Sequence, residues 1–273
     1  MTRPPILTAT LGLALLLTAA AAFAQDEDDR VLKPAEPDFT LISLPTALRL
    51  PEHKLAFRVT HRFTRPLDCD ACSSSLLGDA FGIDLGAQIG LELRYAPFRN
   101  LQVGVHRTSG NKTVAFFGEY GLVRQGTLPV EVAAWGAVDG TDNFTGSYSP
   151  SVGAIVSRRF SEWAAVYVEP IWVNNTNPLP QALADHNDTF IVGVGTRIRI
   201  SSTVYVVAEM APRASGFAPN ANHGSFAIEK RLGGHLFQLN FSDSLATTMS
   251  QLARGGGSTS DWYMGFNITR KFY

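Results

Sequence analysis

Residues 81–96 change character at every step. Phe81, Ile83, Leu85, Ala87, Ile89, Leu91, Leu93 and Tyr95 take the odd positions, and Gly82, Asp84, Gly86, Gln88, Gly90, Glu92, Arg94 and Ala96 the even ones. A period of two sends alternate side chains to opposite faces of a strand, whereas a helix would gather residues three and four apart. The stretch therefore reads as a β-strand with one apolar and one polar face. It exceeds the roughly 9 to 11 residues that cross the hydrocarbon layer of a bilayer. The excess at 81–84 is expected to project beyond the membrane.

The pattern recurs along the chain. Leu55, Phe57, Val59 and Phe63 alternate with Lys54, Arg58, Thr60 and Arg62; Leu101, Val103 and Val105 with Gln102, Gly104 and His106; Val114, Phe116, Tyr120 and Leu122 with Thr113, Phe117 and Glu119. Val130, Val132, Ala134 and Val138 oppose Glu131 and Trp135, and Val204, Val206, Ala208 and Met210 face away from Tyr205 and Glu209. Further segments fall at 151–160, 164–174, 189–200, 225–231, 235–242 and 262–272, giving about twelve strands, an even number as single-chain bacterial barrels require. Short links are expected at 97–100, 125–129, 161–163, 201–202 and 232–234. They alternate with longer ones at 64–80, 139–150, 175–188, 211–224 and 243–260, with 108–112 the modest member. That alternation suits a closed antiparallel transmembrane β-barrel with short periplasmic turns and long extracellular loops.

A soluble barrel would also alternate, so the content of each face decides. One face carries Phe, Tyr, Leu and Val; the other carries Arg, Glu, Gln and Gly, which are too polar and too irregular in volume for a packed core. Turning the apolar face to lipid accommodates both. The last strand agrees, with Trp262, Met264, Phe266, Ile268 and Phe272 on one face, an aromatic ending of the kind that barrel-assembly machinery engages. Its in-phase aromatic is penultimate, because Tyr273 follows.

Residues 6–23 form the one long apolar run. They follow Arg3 and end in the small-x-small triplet Ala22-Phe23-Ala24, the parts of a cleaved secretory signal peptide over 1–24. The acidic residues Asp26, Glu27, Asp28 and Asp29 then open a Pro-bearing lead-in over 25–53, expected to be periplasmic, partly disordered, and able to tuck against or into a barrel occupying 54–273. Losing Arg3 takes the formal charge from −1 to about −2, and no basic stripe offers itself to nucleic acid. Outer-membrane lipid, the assembly machinery and small polar solutes are the expected partners. No cofactor or metal site and no catalytic group is expected.

Two constellations bear on chemistry. Cys69-Asp-Ala-Cys72 lies in the first long loop of an exported chain; it reads as a loop disulfide, with a metal or redox site as the alternative. The inward charges Arg58, Arg62, Glu92, Arg94, Glu119, Glu131, Glu169, Arg197, Arg199, Glu209 and Glu229 must be paired or hydrated. They form either a salt-bridged wall closing the lumen or the lining of a narrow passage for small polar solutes. His223 and Ser225 share a face but show no third partner for catalysis and read as loop residues. His61 and His106 read as wall or rim.

Four stretches carry a resemblance: Phe57-Arg58-Val59-Thr60-His61-Arg62-Phe63, Phe81-Gly82-Ile83-Asp84, Val103-Gly104-Val105-His106-Arg107-Thr108 and Gly265-Phe266-Asn267-Ile268-Thr269-Arg270-Lys271-Phe272. Together they resemble an uncharacterised bacterial β-barrel family, domain of unknown function 5777, over about 39–273. The resemblance implies a barrel and an exported location, without an activity; the Cys69 and Cys72 pair is no part of it.

Overall fold

A computed structural model describes residues 35–68, 86–179, 183, 185–219, 221–256 and 261–272. The leader, the Cys69 and Cys72 pair, Tyr273 and the first part of the 81–96 stretch lie outside the described residues. Among the described residues there are thirteen strands: β1 (Leu55–Pro66), β2 (Ala87–Phe98), β3 (Leu101–Thr108), β4 (Val114–Val123), β5 (Glu131–Gly140), β6 (Tyr148–Phe160), β7 (Ala164–Asn174), β8 (Asp188–Arg199), β9 (Val204–Ala211), β10 (Arg213–Gly216), β11 (His223–Leu232), β12 (His235–Ser242) and β13 (Tyr263–Phe272).

Each strand pairs antiparallel with its neighbour in the sequence, β10 excepted, and β1 pairs with β13, so the sheet closes on itself. The thirteen segments make twelve staves. Pro212 has no N–H to give a ladder, and it splits one stave into β9 and β10, which both pair with β8 through Met210↔Val194 and Arg213↔Ile191. Closure leaves no edge, which is what a sheet needs where no water can satisfy its backbone. Among the described residues no helix is long and apolar enough to cross a membrane; the strands do it.

The links at 99–100, 124–130, 161–163, 200–203 and 233–234 lie at one end, the turn end; the strand ends at Thr108, Val114, Gly140, Tyr148, Asn174, Asp188, Gly216, His223, Ser242 and Tyr263 lie at the other, the loop end. The tightest turns use left-handed residues, Asn100 at φ 71° and Gly233 at φ 56°, as two-residue hairpins demand. Strands outrun several expected boundaries: Pro97 stands inside β2 at a register shift between Tyr95 and Phe98, and β6 begins at Tyr148. His223 and Ser225, read from sequence as loop residues, belong to β11, and both are buried.

The outward face is the expected one. Ile89, Leu91, Leu93 and Tyr95 of β2 are exposed, while Glu92, Arg94 and Ala96 between them are buried. Aromatic side chains gather at the two rims, with Tyr95, Phe98, Tyr120, Phe160 and Trp163 toward the turn end and Tyr148, Trp172 and Phe226 toward the loop end. Phe226 contacts Phe241 and Trp262 there, at ring-centroid distances of 5.1 and 5.5 Å. Such belts hold a barrel in register with the interfaces of a bilayer.

The inward face differs from the sequence expectation. A large part of it is apolar: Phe117, Trp135, Ile155, Tyr167, Ile171, Val173, Ile191 and Val207 form one cluster with Leu41, Ile42, Leu44, Met249 and Leu252. The last five do not belong to the wall. The alternation could not reveal them because it reports which face a residue takes, and nothing about what fills the space that face encloses.

Candidate functional site in the barrel lumen

Residues 35–50 run inside the barrel. All except Ser43 and Arg49 are buried, and Leu41, Ile42, Leu44, Thr46 and Ala47 have no exposed surface. The segment doubles back on itself: Leu41 N–H donates to Leu44 C=O at 2.8 Å, Thr40 bridges Pro45, and Thr46 N–H donates to Phe39 C=O at 2.9 Å. The result is a small hairpin with its tip at 41–44. It enters from the turn end, where its chain leads into β1.

A second element enters from the loop end. In the β12–β13 connection the short helix α1 (Met249–Arg254) turns inward, burying Met249, Leu252 and Ala253. Ser250 N–H donates to Asp139 Oδ2 at 2.8 Å, and Ser43 Oγ donates to Ala246 C=O at 3.1 Å, so hairpin and loop meet. Burial lowers the Arg254 guanidinium from its ordinary value, and the Asp139 carboxylate opposes that, an attraction tying α1 to β5. The polar cavity between hairpin, α1 and wall is about 40 Å³. That is room for about three waters.

The wall meets the hairpin in two ways. On the polar side it grips the backbone. Glu209 takes the N–H groups of Ile42 (2.9 Å), Ser43 (2.9 Å) and Leu44 (3.1 Å), and is itself held by Ser225 Oγ at 3.0 Å and His223 Nε2 at 3.2 Å. The carbonyls are served as fully: Arg197 donates to Thr40 C=O at 2.7 Å, Gln238 to Leu41 C=O at 2.7 Å, and Arg58 and Asn267 to Ile42 C=O at 2.5 and 3.1 Å. A buried peptide group without a partner costs about 1–3 kcal/mol, so this set removes a penalty that would otherwise keep a polar turn out of a dry lumen.

On the apolar side the wall makes room. A Cβ on Gly195 would lie 2.2 Å from Leu41 Cδ1, one on Gly193 would lie 3.1 Å from Leu44 Cδ1, and one on Gly121 would lie 2.2 Å from Arg49 Cζ. Side chains of the hairpin occupy the space these glycines leave. Burying leucine side chains in this way stabilises by roughly 1.5–3 kcal/mol each.

The inward charges read from sequence are distributed as follows. Arg197 and Glu229 form a two-pronged pair at 2.8 and 2.9 Å, with neither side chain exposed. Arg94 holds Glu92 at 3.1 Å and Glu119 at 3.5 Å, and lies over the rings of Phe117 and Phe39. Glu131 is reached by Arg49 at 3.3 Å and Arg159 at 3.6 Å, and Arg159 also pairs with Glu36 at 3.1 Å. Arg58 and Arg62 are buried, and among the described residues no carboxylate pairs with either; Arg62 rests on Asn267 Oδ1 at 2.9 Å. Glu169 is wholly buried with no hydrogen-bond partner for either oxygen among the described residues.

Arg199 stands apart from this set. It is partly exposed at the turn-end rim, bonded to the carbonyls of Ser201 and Ser202 and 3.8 Å from the exposed Glu162, so it takes no part in the lumen. His106 faces the lumen, and His61 faces outward, stacked on Phe266 at 4.6 Å. Sequence reasoning passed over Gln238, Asn267, Gly193 and Gly195. The signal that could have found the glycines was their repetition on the inward face of β8.

A closed ring of antiparallel staves, apolar outside and filled within, defines a membrane β-barrel. The chain belongs to the family described as a membrane bound beta barrel domain (DUF5777), whose model matches residues 38–272. The match takes in the hairpin as well as every stave. Among solved structures the chain is similar in fold to the NanC porin, in a rhombohedral crystal form, at a TM-score of 0.50 and 9% identity over 80% of this chain and 99% of that one. A triple mutant of the Rhodopseudomonas blastica porin aligns at a TM-score of 0.36 and 10% identity, over 68% of this chain and 55% of that one. No curated protein matches the chain.

Proposed function

We propose that this is an outer-membrane barrel, exported by a cleaved leader and assembled through its aromatic last strand, whose passage for small polar solutes is closed by its own residues 35–50. As folded it does not conduct; it opens when the hairpin withdraws toward the turn end, which we take as periplasmic. It performs no catalysis. The observation that carries the reading is the capture of three successive N–H groups at the hairpin tip by Glu209. That arrangement holds a separate piece of chain against the wall through contacts that can be released, whereas an irreversibly sealed lumen needs only apolar packing.

Planar-bilayer recording tests it. The intact chain is expected to give no steady ion current, and a variant lacking residues 35–50, shown to be folded by heat-modifiable gel mobility, a stable one. Equal currents from both forms would overturn the reading. The apolar cluster running from wall through hairpin to α1 favours a second reading, a non-conducting barrel that serves as an interaction scaffold. A folded, silent deletion variant would select it.

A further inference from the structure

Resting on the reading of a passage closed by its own chain, we infer that the solute taken by the opened lumen is an amino acid or short peptide in its zwitterionic form. Two independent features of the wall converge on that class.

The first is what the wall binds now. Its contacts with the hairpin tip go to peptide groups: Gln238 and Asn267 donate to the carbonyls of Leu41 and Ile42, Arg58 joins Asn267 at Ile42, and Glu209 accepts from the N–H groups of Ile42, Ser43 and Leu44. Donors and acceptors stand together on the contiguous arc of staves from β9 through β11, β12 and β13 to β1. Apart from Ser43, whose hydroxyl lies 3.4 Å from Arg62, the tip's side chains are left to apolar packing. A surface that reads backbone in this way is indifferent to sequence and accepts another peptide in the same place.

The second is the polar capacity that the neutral tip leaves unused. Arg58 and Arg62 sit together on β1, buried and, among the described residues, in salt-bridge contact with no carboxylate, although Glu92 attracts Arg58 and Glu209 attracts Arg62 from further off. Glu169 lies on β7, on the far side of the ring, buried and with both oxygens unpartnered among the described residues. One molecule carrying both signs can give the guanidinium groups on one side and the unpartnered carboxyl group on the other a charge-assisted partner each. A terminal carboxylate facing Arg58 and Arg62 and a terminal ammonium facing Glu169 would do so. A tripeptide in extended form reaches about 10 Å. A simple anion would satisfy only the arginines, and a neutral sugar neither side.

The test uses the variant lacking residues 35–50, with trialanine as the probe and its acetylated, amidated form as the neutral control. Trialanine is expected to block the current and to change the fluorescence of the lumen-facing Trp135 saturably. It should act at a concentration about tenfold or more below that of the capped peptide, since each terminus adds a charge-assisted contact. Arg58→Gln with Arg62→Gln should bring free and capped trialanine to the same effective concentration, the larger loss falling on the free form. If the deletion variant fails to fold, the full chain carrying Leu41→Asp and Leu44→Asp, which expels the tip while leaving the polar wall intact, takes its place. Equal action of free and capped trialanine, or action by succinate and not by trialanine, would overturn the inference while the current itself upheld the passage. A folded variant with neither current nor fluorescence response would overturn both.

Discussion

The two halves of the lumen wall are made of the same alternating strands and do opposite things. On β1, β2, β11, β12 and β13, joined by Arg197 of β8 and Glu209 of β9, the inward residues that meet the hairpin are polar or charged, among them Arg58, Gln238 and Asn267; the other inward residues of β5 to β9 include Trp135, Ile155, Ile171, Ile191 and Val207. The first half fixes where the hairpin sits, because hydrogen bonds require alignment. The second supplies attraction that is indifferent to alignment, because removal of apolar surface from water depends on area alone. A segment held by both is positioned and stable, yet its release requires no covalent or topological change.

Substitutions on either side break or sharpen this contrast. The largest effect is expected from Glu209→Ala, which strands three buried N–H groups and leaves His223 without one of its two carboxylates; a loss of about 3–5 kcal/mol should appear in denaturant unfolding from detergent, together with bursts of current. Leu44→Ala, on the apolar side, should cost about 2–4 kcal/mol by the same measurement but leave the hairpin in register, so current should stay absent. If it conducts as freely as Glu209→Ala, the division of labour between the halves is wrong. Gly195→Val, placing a branched chain where Leu41 lies, should destabilise by about 1–3 kcal/mol and raise the open fraction. Arg199→Ala, outside both halves at the rim, should change stability by no more than about 0.5 kcal/mol.

The polar half was legible in the sequence because charge on an alternating strand has only one place to go when the other face meets lipid. Ten of the inward charges, from Arg58 to Glu229, are buried on the inner face for that reason, and Arg199 differs because it is the last residue of β8, where alternation still holds but the lumen has ended. The apolar half was not legible. Tyr167, Ile171 and Ile191 look like ordinary strand residues, and their role depends on Leu41, Ile42 and Leu44, which lie far away in the chain in a segment with no period of its own. Local pattern specifies the wall; the filling is a matter of long-range packing. The break at Pro212 was written in the sequence as plainly as the alternation, and it accounts for the difference between thirteen strands and twelve staves.

Hydrogen exchange of the intact barrel in detergent measures the occupied lumen without altering a residue. The amides of Ile42, Ser43 and Leu44, bound to Glu209, should exchange as slowly as those of β7 and β8 around them. Exchange of these three amides at the rate of an unstructured peptide, with the strands still protected, would contradict a lumen closed by its own chain.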